Sequence, residues 1–149
     1  MSKLFKEIQI VLANGQRVRG EDHLKDKLVG LYFTANWCPA YRDLTPKLKT
    51  FYDKLGAAGK NFEVLFVSSD NRITEYEECR KKQGNWASLE YNSPKRWFTI
   101  SNYKAYAIPN MRIIKPDGSV IVQNAHTEIK NRGDNAEELF KEWLELYKK

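Results

Sequence analysis

Leu28-Val29-Gly30-Leu31-Tyr32-Phe33-Thr34-Ala35-Asn36-Trp37-Cys38-Pro39-Ala40-Tyr41-Arg42 is the stretch on which the reading of this chain turns. Its first seven residues are nearly all apolar, the signature of a strand buried on both faces. From Tyr41 onward apolar residues recur at Leu44, Leu48, Phe51, Tyr52 and Leu55, which is helical spacing, and Gly56 or Gly59 can end that helix. A cysteine between such a strand and such a helix stands where a Cys-x-x-Cys motif begins. Cys38 is present, and Tyr41 occupies the place of the second cysteine.

Phe62-Glu63-Val64-Leu65-Phe66-Val67-Ser68 forms a second buried strand, so the helix between the two makes a strand–helix–strand crossover. Upstream, Ile8–Leu12 and Arg17–Arg19 flank Asn14-Gly15, a hairpin-turn signal. Downstream, Ser69-Asp70 caps the approach to a helix over Ile73–Lys82. Residues 84–106 are aromatic and loop-rich. Met111–Ile114 and Val120–Val122 flank Pro116-Asp117-Gly118 as a second hairpin. Asp134-x-x-Glu137 has the form of a capping box, opening a helix whose face carries Ala136, Leu139, Phe140, Trp143, Leu144 and Tyr147. This order predicts an α/β fold: a central mixed β-sheet flanked by helices, with an N-terminal β-hairpin.

The 149 residues contain no repeat, low-complexity tract or linker, so one domain over 1–149 is expected. A hydrophobic content of 42% with 30% charged residues excludes a disordered or fibrous chain. No apolar run approaches the ~20 residues that span a bilayer, and the N-terminus lacks the pattern of a signal peptide. Two cysteines make no disulfide framework, which points to a reducing compartment, the cytoplasm with the nucleus as the other option, rather than secretion. The net charge of +6 comes from scattered lysines and arginines, with no nucleic-acid recognition module; it favours solubility and acidic partners. His23 and His126 are isolated, and no metal-ligand spacing occurs.

Trp37-Cys38-Pro39 at a helix start, with Ile108-Pro109 just before a late strand, resembles the thioredoxin superfamily. The resemblance tightens over Leu31-Tyr32-Phe33, Arg42, Thr45-Pro46-Lys47-Leu48, Phe51-Tyr52, the strand 62–68 with Ser69-Asp70, Trp86, and Ile113-Ile114-Lys115-Pro116-Asp117-Gly118. It is closest to the tryparedoxin/nucleoredoxin branch and covers nearly the whole chain. The resemblance implies a thioredoxin fold, a cis peptide bond at Ile108-Pro109, and thiol–disulfide oxidoreduction with Cys38 as nucleophile. It places Pro39 and Ala40 in the middle of the motif and sets them, with Trp37, Tyr41, Arg42, Trp86, Ile108 and Pro109, around the substrate groove.

Each of these residues also has a simpler reading. Cys38 at a helix start feels backbone donors and the helix dipole, which predicts a depressed thiol pKa and partial exposure; the alternative is an inert cysteine. Tyr41 either fills space on the face it shares with Leu44 and Leu48 or covers Cys38. Trp86 is a groove wall or core filler, and Arg42 favours thiolate or is a solvated arginine. Cys79 lies well along its own helix on a core-facing position, too far to bridge to Cys38.

Two functions follow from the resemblance. The first is a single-thiol redox protein: Cys38 forms a mixed disulfide with a protein or peptide partner, and glutathione or another external thiol resolves it, with no bound cofactor. The alternative is a redox-inactive binding module that holds an extended peptide in the Pro109 groove. Both expect a monomer that binds neither nucleic acid nor membrane.

Overall fold

The computed structural model of the chain describes residues 5–39 and 41–149, with Tyr41 and Arg42 given by backbone alone. Two strands that are buried along their whole length, β3 (Leu28–Thr34) and β4 (Phe62–Ser68), pair in parallel at the centre of a seven-stranded sheet. The helix α2 (Tyr41–Ala57) makes the crossover between them. It stops at Gly59, which has φ +72°. There Lys60 N–H reaches Leu55 O at 3.0 Å and Gly59 N–H reaches Gly56 O at 3.1 Å, a Schellman termination.

The other strands add outward from this pair. β5 (Ala87–Leu89) runs parallel to β4, and β6 (Asn110–Ile114) runs antiparallel to β3. β7 (Val120–Val122) closes one edge, and β1 (Gln9–Val11) with β2 (Arg17–Arg19) closes the other, giving the order β2-β1-β5-β4-β3-β6-β7. Both expected hairpins form. Gly15 and Gly118 each take φ +91° at their turns, a conformation glycine adopts without steric cost. A third tight position is Gly30, in mid-strand. A Cβ there would lie 3.1 Å from Met111 Sδ and 3.3 Å from Ile113 Cδ1, so β3 and β6 pack closely only because no side chain intervenes.

Side chains alternate across the strands and build one core on each face. Phe51, Phe62, Tyr32, Trp86, Phe140 and Trp143 anchor the core under α2, α3 (Ile73–Lys81), α5 (Ala125–Arg132) and α6 (Ala136–Lys148). Phe5, Leu31, Phe33, Leu65, Ile100 and Tyr103 anchor the other, under α1 (Gly20–His23) and α4 (Lys95–Asn102).

Four local expectations are corrected. The 84–106 segment holds β5 and α4, not only loop. α5 is an additional helix, with just Ala125 and Ile129 buried, too little apolar pattern to announce itself. Asp134 falls in a short 3₁₀ turn (Gly133–Asn135), so α6 starts at Ala136 after Asn135, with no side-chain cap bond. α3 likewise follows Arg72 without a cap bond, because the Asp70 carboxylate is engaged elsewhere.

Candidate functional site

The chain leaves β3 at Thr34 and folds back on itself: Cys38 N–H donates to Ala35 O at 3.1 Å. Beside this turn runs the entry to β6. The ladder pairs Phe33 with Asn110, so continuing it by one and two places sets Thr34 level with Pro109 and Ala35 level with Ile108. The Ile108–Pro109 peptide is cis, as the resemblance implies, and both residues are half-buried. The described turn therefore brings Cys38 and Pro109 to the same end of the sheet, beyond the carboxyl ends of β3 and β4.

Around them Trp37 is 58% exposed and Tyr106, two residues before Ile108, is 67% exposed; Pro39 is also exposed. Cys38 itself is only 2% exposed, which corrects the expected partial exposure: the surrounding structure encloses the side chain. α2 is described from Tyr41, so Cys38 lies in the turn ahead of the helix. Ala40 and the side chains of Tyr41 and Arg42 lie outside the described residues, and with them the two readings of Tyr41 and of Arg42.

Trp86 is not on the rim. It is 1% exposed, sits edge-on to Tyr32 and Tyr52, and donates Nε1–H to Gln83 Oε1 at 3.2 Å. An indole with its N–H satisfied inside an aromatic cluster is a core residue.

Beneath the turn lies a buried polar layer. Tyr32 OH and Thr45 Oγ1 share a hydrogen bond of 2.8 Å. Burial raises the Tyr32 phenol well above its ordinary range, and any charge on Cys79 or Cys38 would add to that rise. Cys79 is fully buried, as expected of core filler, and burial together with the nearby Asp70 pushes its thiol up to about 12. It is held as a neutral thiol that accepts a weak contact from Gln83 Nε2 at 3.6 Å. Cys38 and Cys79 are both free thiols in the structure.

Sequence reasoning did not place Asp70 at this site. Its carboxylate is fully buried and accepts the Asn36 backbone N–H at 2.9 Å and the Ser68 hydroxyl at 2.7 Å. Arg96, also buried, donates Nη1–H to Ser68 O at 2.8 Å and Asp70 O at 3.0 Å, fixing the β4 exit to α4. The only signal in sequence was an acidic residue just beyond a buried strand, which reads equally well as a helix cap. Among the described residues no group of His, Cys, Asp and Glu is arranged to hold a metal, and no helix is long and apolar enough to cross a membrane.

The thioredoxin-like family model matches residues 26–120, which is more than half of the chain. Human nucleoredoxin is 32% identical over 136 residues, covering 89% of this chain and 31% of its own length, so the chain spans about a third of that relative. The crystal structure of thioredoxin from Wuchereria bancrofti superposes with a TM-score of 0.79 at 31% identity, covering 94% of this chain and 96% of that one. Tryparedoxin from Trypanosoma brucei superposes with a TM-score of 0.79 at 29% identity, covering 91% of this chain and 94% of that one. With its central strands, the Cys38 turn and cis-Pro109 set in that frame, the chain belongs to the thioredoxin-like family, on the tryparedoxin/nucleoredoxin branch.

Proposed function

We propose that this redox-type domain works through a single thiol, Cys38, in thiol–disulfide exchange. The observation that carries the reading is the arrangement of the Cys38 turn beside the cis Ile108–Pro109 peptide, at the rim formed by Trp37 and Tyr106. Cys38 gives its proton to solvent and its sulfur attacks one sulfur of a partner disulfide. The other partner sulfur leaves as a thiolate and takes up a proton. With Tyr41 in place of a resolving cysteine, glutathione or another small thiol then attacks the mixed disulfide. That thiol loses its proton, bonds to the remaining partner sulfur and releases Cys38 as a thiol. The partner is a polypeptide disulfide that lies along the Pro109 edge, and a reducing cytoplasmic or nuclear setting suits the chemistry.

The decisive experiment offers glutathione disulfide to the protein and to Cys38→Ser, and follows intact mass. The parent should gain one glutathione, lose it on addition of excess thiol, and the Cys38→Ser protein should gain none. Tyr41→Cys supplies an internal thiol, whose local concentration exceeds that of any free one. The folded variant should turn over disulfide substrates with a dithiol reductant well above the parent. Equal rates would mean that the missing cysteine does not limit the reaction.

The burial of Cys38 at 2% favours a second reading, a binding module that holds an extended peptide at the Pro109 edge without exchange. A parent that takes up no glutathione, yet binds peptides equally well with and without the Cys38 sulfur, would establish that reading in place of the first.

A further inference from the structure

Asn36 fastens the Cys38 turn at three points. Its backbone N–H donates to Asp70 Oδ1 at 2.9 Å, its side-chain Nδ2–H donates to Glu78 Oε2 at 2.9 Å, and its Oδ1 accepts from Lys82 Nζ at 3.1 Å. Glu78 and Lys82 are four residues apart on α3 and its C-terminal cap, the spacing that puts two side chains on one helical face. A carboxamide is suited to this place because one end donates and the other accepts. The donor end meets the carboxylate and the acceptor end meets the ammonium. Aspartate would face Glu78 with a like charge, and serine has a single oxygen to serve both.

The three attachments differ in kind. The inner one is fixed, since Asp70 is fully buried and is itself held by Ser68 and Arg96. The outer two end on exposed residues, Glu78 and Lys82, where water can replace either partner at small cost. Cys38 follows two residues later and is only 2% exposed, so a partner reaches its sulfur only after a local rearrangement around the turn.

We propose that the Asn36 carboxamide is a latch: by closing the Cys38 turn onto α3 through Glu78 and Lys82, it sets how often the Cys38 sulfur is presented to a partner. Asn36 is thus a positioning residue. Its purpose rests on the redox reading of Cys38, but its action on access does not.

The test is the rate of Cys38 alkylation by iodoacetamide as a function of pH. The limiting rate at high pH is compared, because it reports access rather than thiol ionisation. Cys79, fully buried and held as a thiol, is the internal control. Asn36→Ala should raise the limiting Cys38 rate by more than about two-fold and leave Cys79 unlabelled. Asn36→Asp with Glu78→Gln re-creates a donor–acceptor pair with the roles exchanged and should return the rate to within about two-fold of the parent, whereas Asn36→Asp alone should not.

A Cys38 rate in Asn36→Ala within about two-fold of the parent would overturn the latch, being less than the two outer ties together account for. So would Cys79 labelling that rises in step with Cys38, because that signals loosening of the whole domain. Should Asn36→Ala not fold, the surface pair Glu78→Ala with Lys82→Ala must give the same rise, and its failure to do so refutes the proposal. The redox reading fails separately: if no form takes up glutathione from its disulfide, single-thiol exchange is wrong, while the alkylation rates still decide the latch.

Discussion

Two polar ties are anchored at opposite ends of β4, and they are built for different duties. At the end away from Cys38, Glu63 Oε2 meets His23 Nε2 at 2.6 Å, while Glu63 Oε1 accepts Tyr52 OH at 2.8 Å and Val64 N–H at 2.9 Å. β5 pairs with β4 only from Leu65 onward, so Glu63 lies on a stretch with an open side. His23 of α1 and Tyr52 of α2, which belong to opposite layers, both reach the same carboxylate there. At the other end Asn36 joins a buried Asp70 to the exposed Glu78 and Lys82. Breaking the first tie strands a buried carboxylate; opening the outer half of the second merely returns two groups to water. Position along one strand thus separates a permanent seam from a releasable one.

Glu63→Ala leaves His23, Tyr52 and the Val64 N–H without their shared acceptor and should cost about 3 kcal/mol in urea unfolding, ~1 kcal/mol for each polar group that loses its partner. A loss under about 1 kcal/mol would put this tie in the same class as an exposed one. Asp70→Ala should cost less, about 2 kcal/mol, because it leaves two groups unpaired, the Asn36 N–H and the Ser68 hydroxyl. It should also speed Cys38 alkylation, since it removes the fixed end of the latch; if stability falls and Cys38 does not respond, Asp70 holds β4 and α4 but not the turn.

The smallest effect concerns acid. His126 Nδ1 accepts the Met111 N–H at 3.1 Å, which requires that nitrogen to be unprotonated. Burial holds the imidazole below its ordinary value of 6.5. The unfolded chain therefore takes up its proton at a higher pH than the folded chain does. The stability contributed by the neutral ring is complete above about pH 6.5 and drains away as pH falls below it toward the folded value. His126→Asn keeps an acceptor oxygen without titrating and should flatten that part of the pH–stability curve. An unchanged curve would place the acid sensitivity elsewhere.

The strands and turns that frame the site were legible because each is encoded locally. The runs 28–34 and 62–68 are nearly all apolar, and Asn14-Gly15 and Pro116-Asp117-Gly118 are turn signals whose glycines take the expected left-handed conformation. The proline beside Cys38 was placed by resemblance, not by spacing. What escaped notice is nonlocal. Asp70 was read as a cap for the helix just after it, but its partner is Asn36, 34 residues earlier. Nothing in a local pattern tells a carboxylate that serves its own helix from one that crosses to a neighbouring strand exit. The burial of Cys38 has the same origin, since helix-start position speaks to electrostatics and not to which way a side chain turns. α5 was missed because a helix covered by its neighbours at only two positions carries almost no periodicity.

The distribution of the four tryptophans gives the molecule a pair of separable optical signals. Trp86 and Trp143 are almost wholly enclosed, whereas Trp37 is 58% and Trp97 47% exposed. A dissolved quencher such as iodide reaches the outer pair and spares the inner pair while the chain is folded. With Trp97→Phe, the quenchable light comes from the indole adjacent to Cys38, and the unquenched remainder reports the aromatic core. Motion of the turn and melting of the fold can then be followed in one cuvette as two different colours of the same emission.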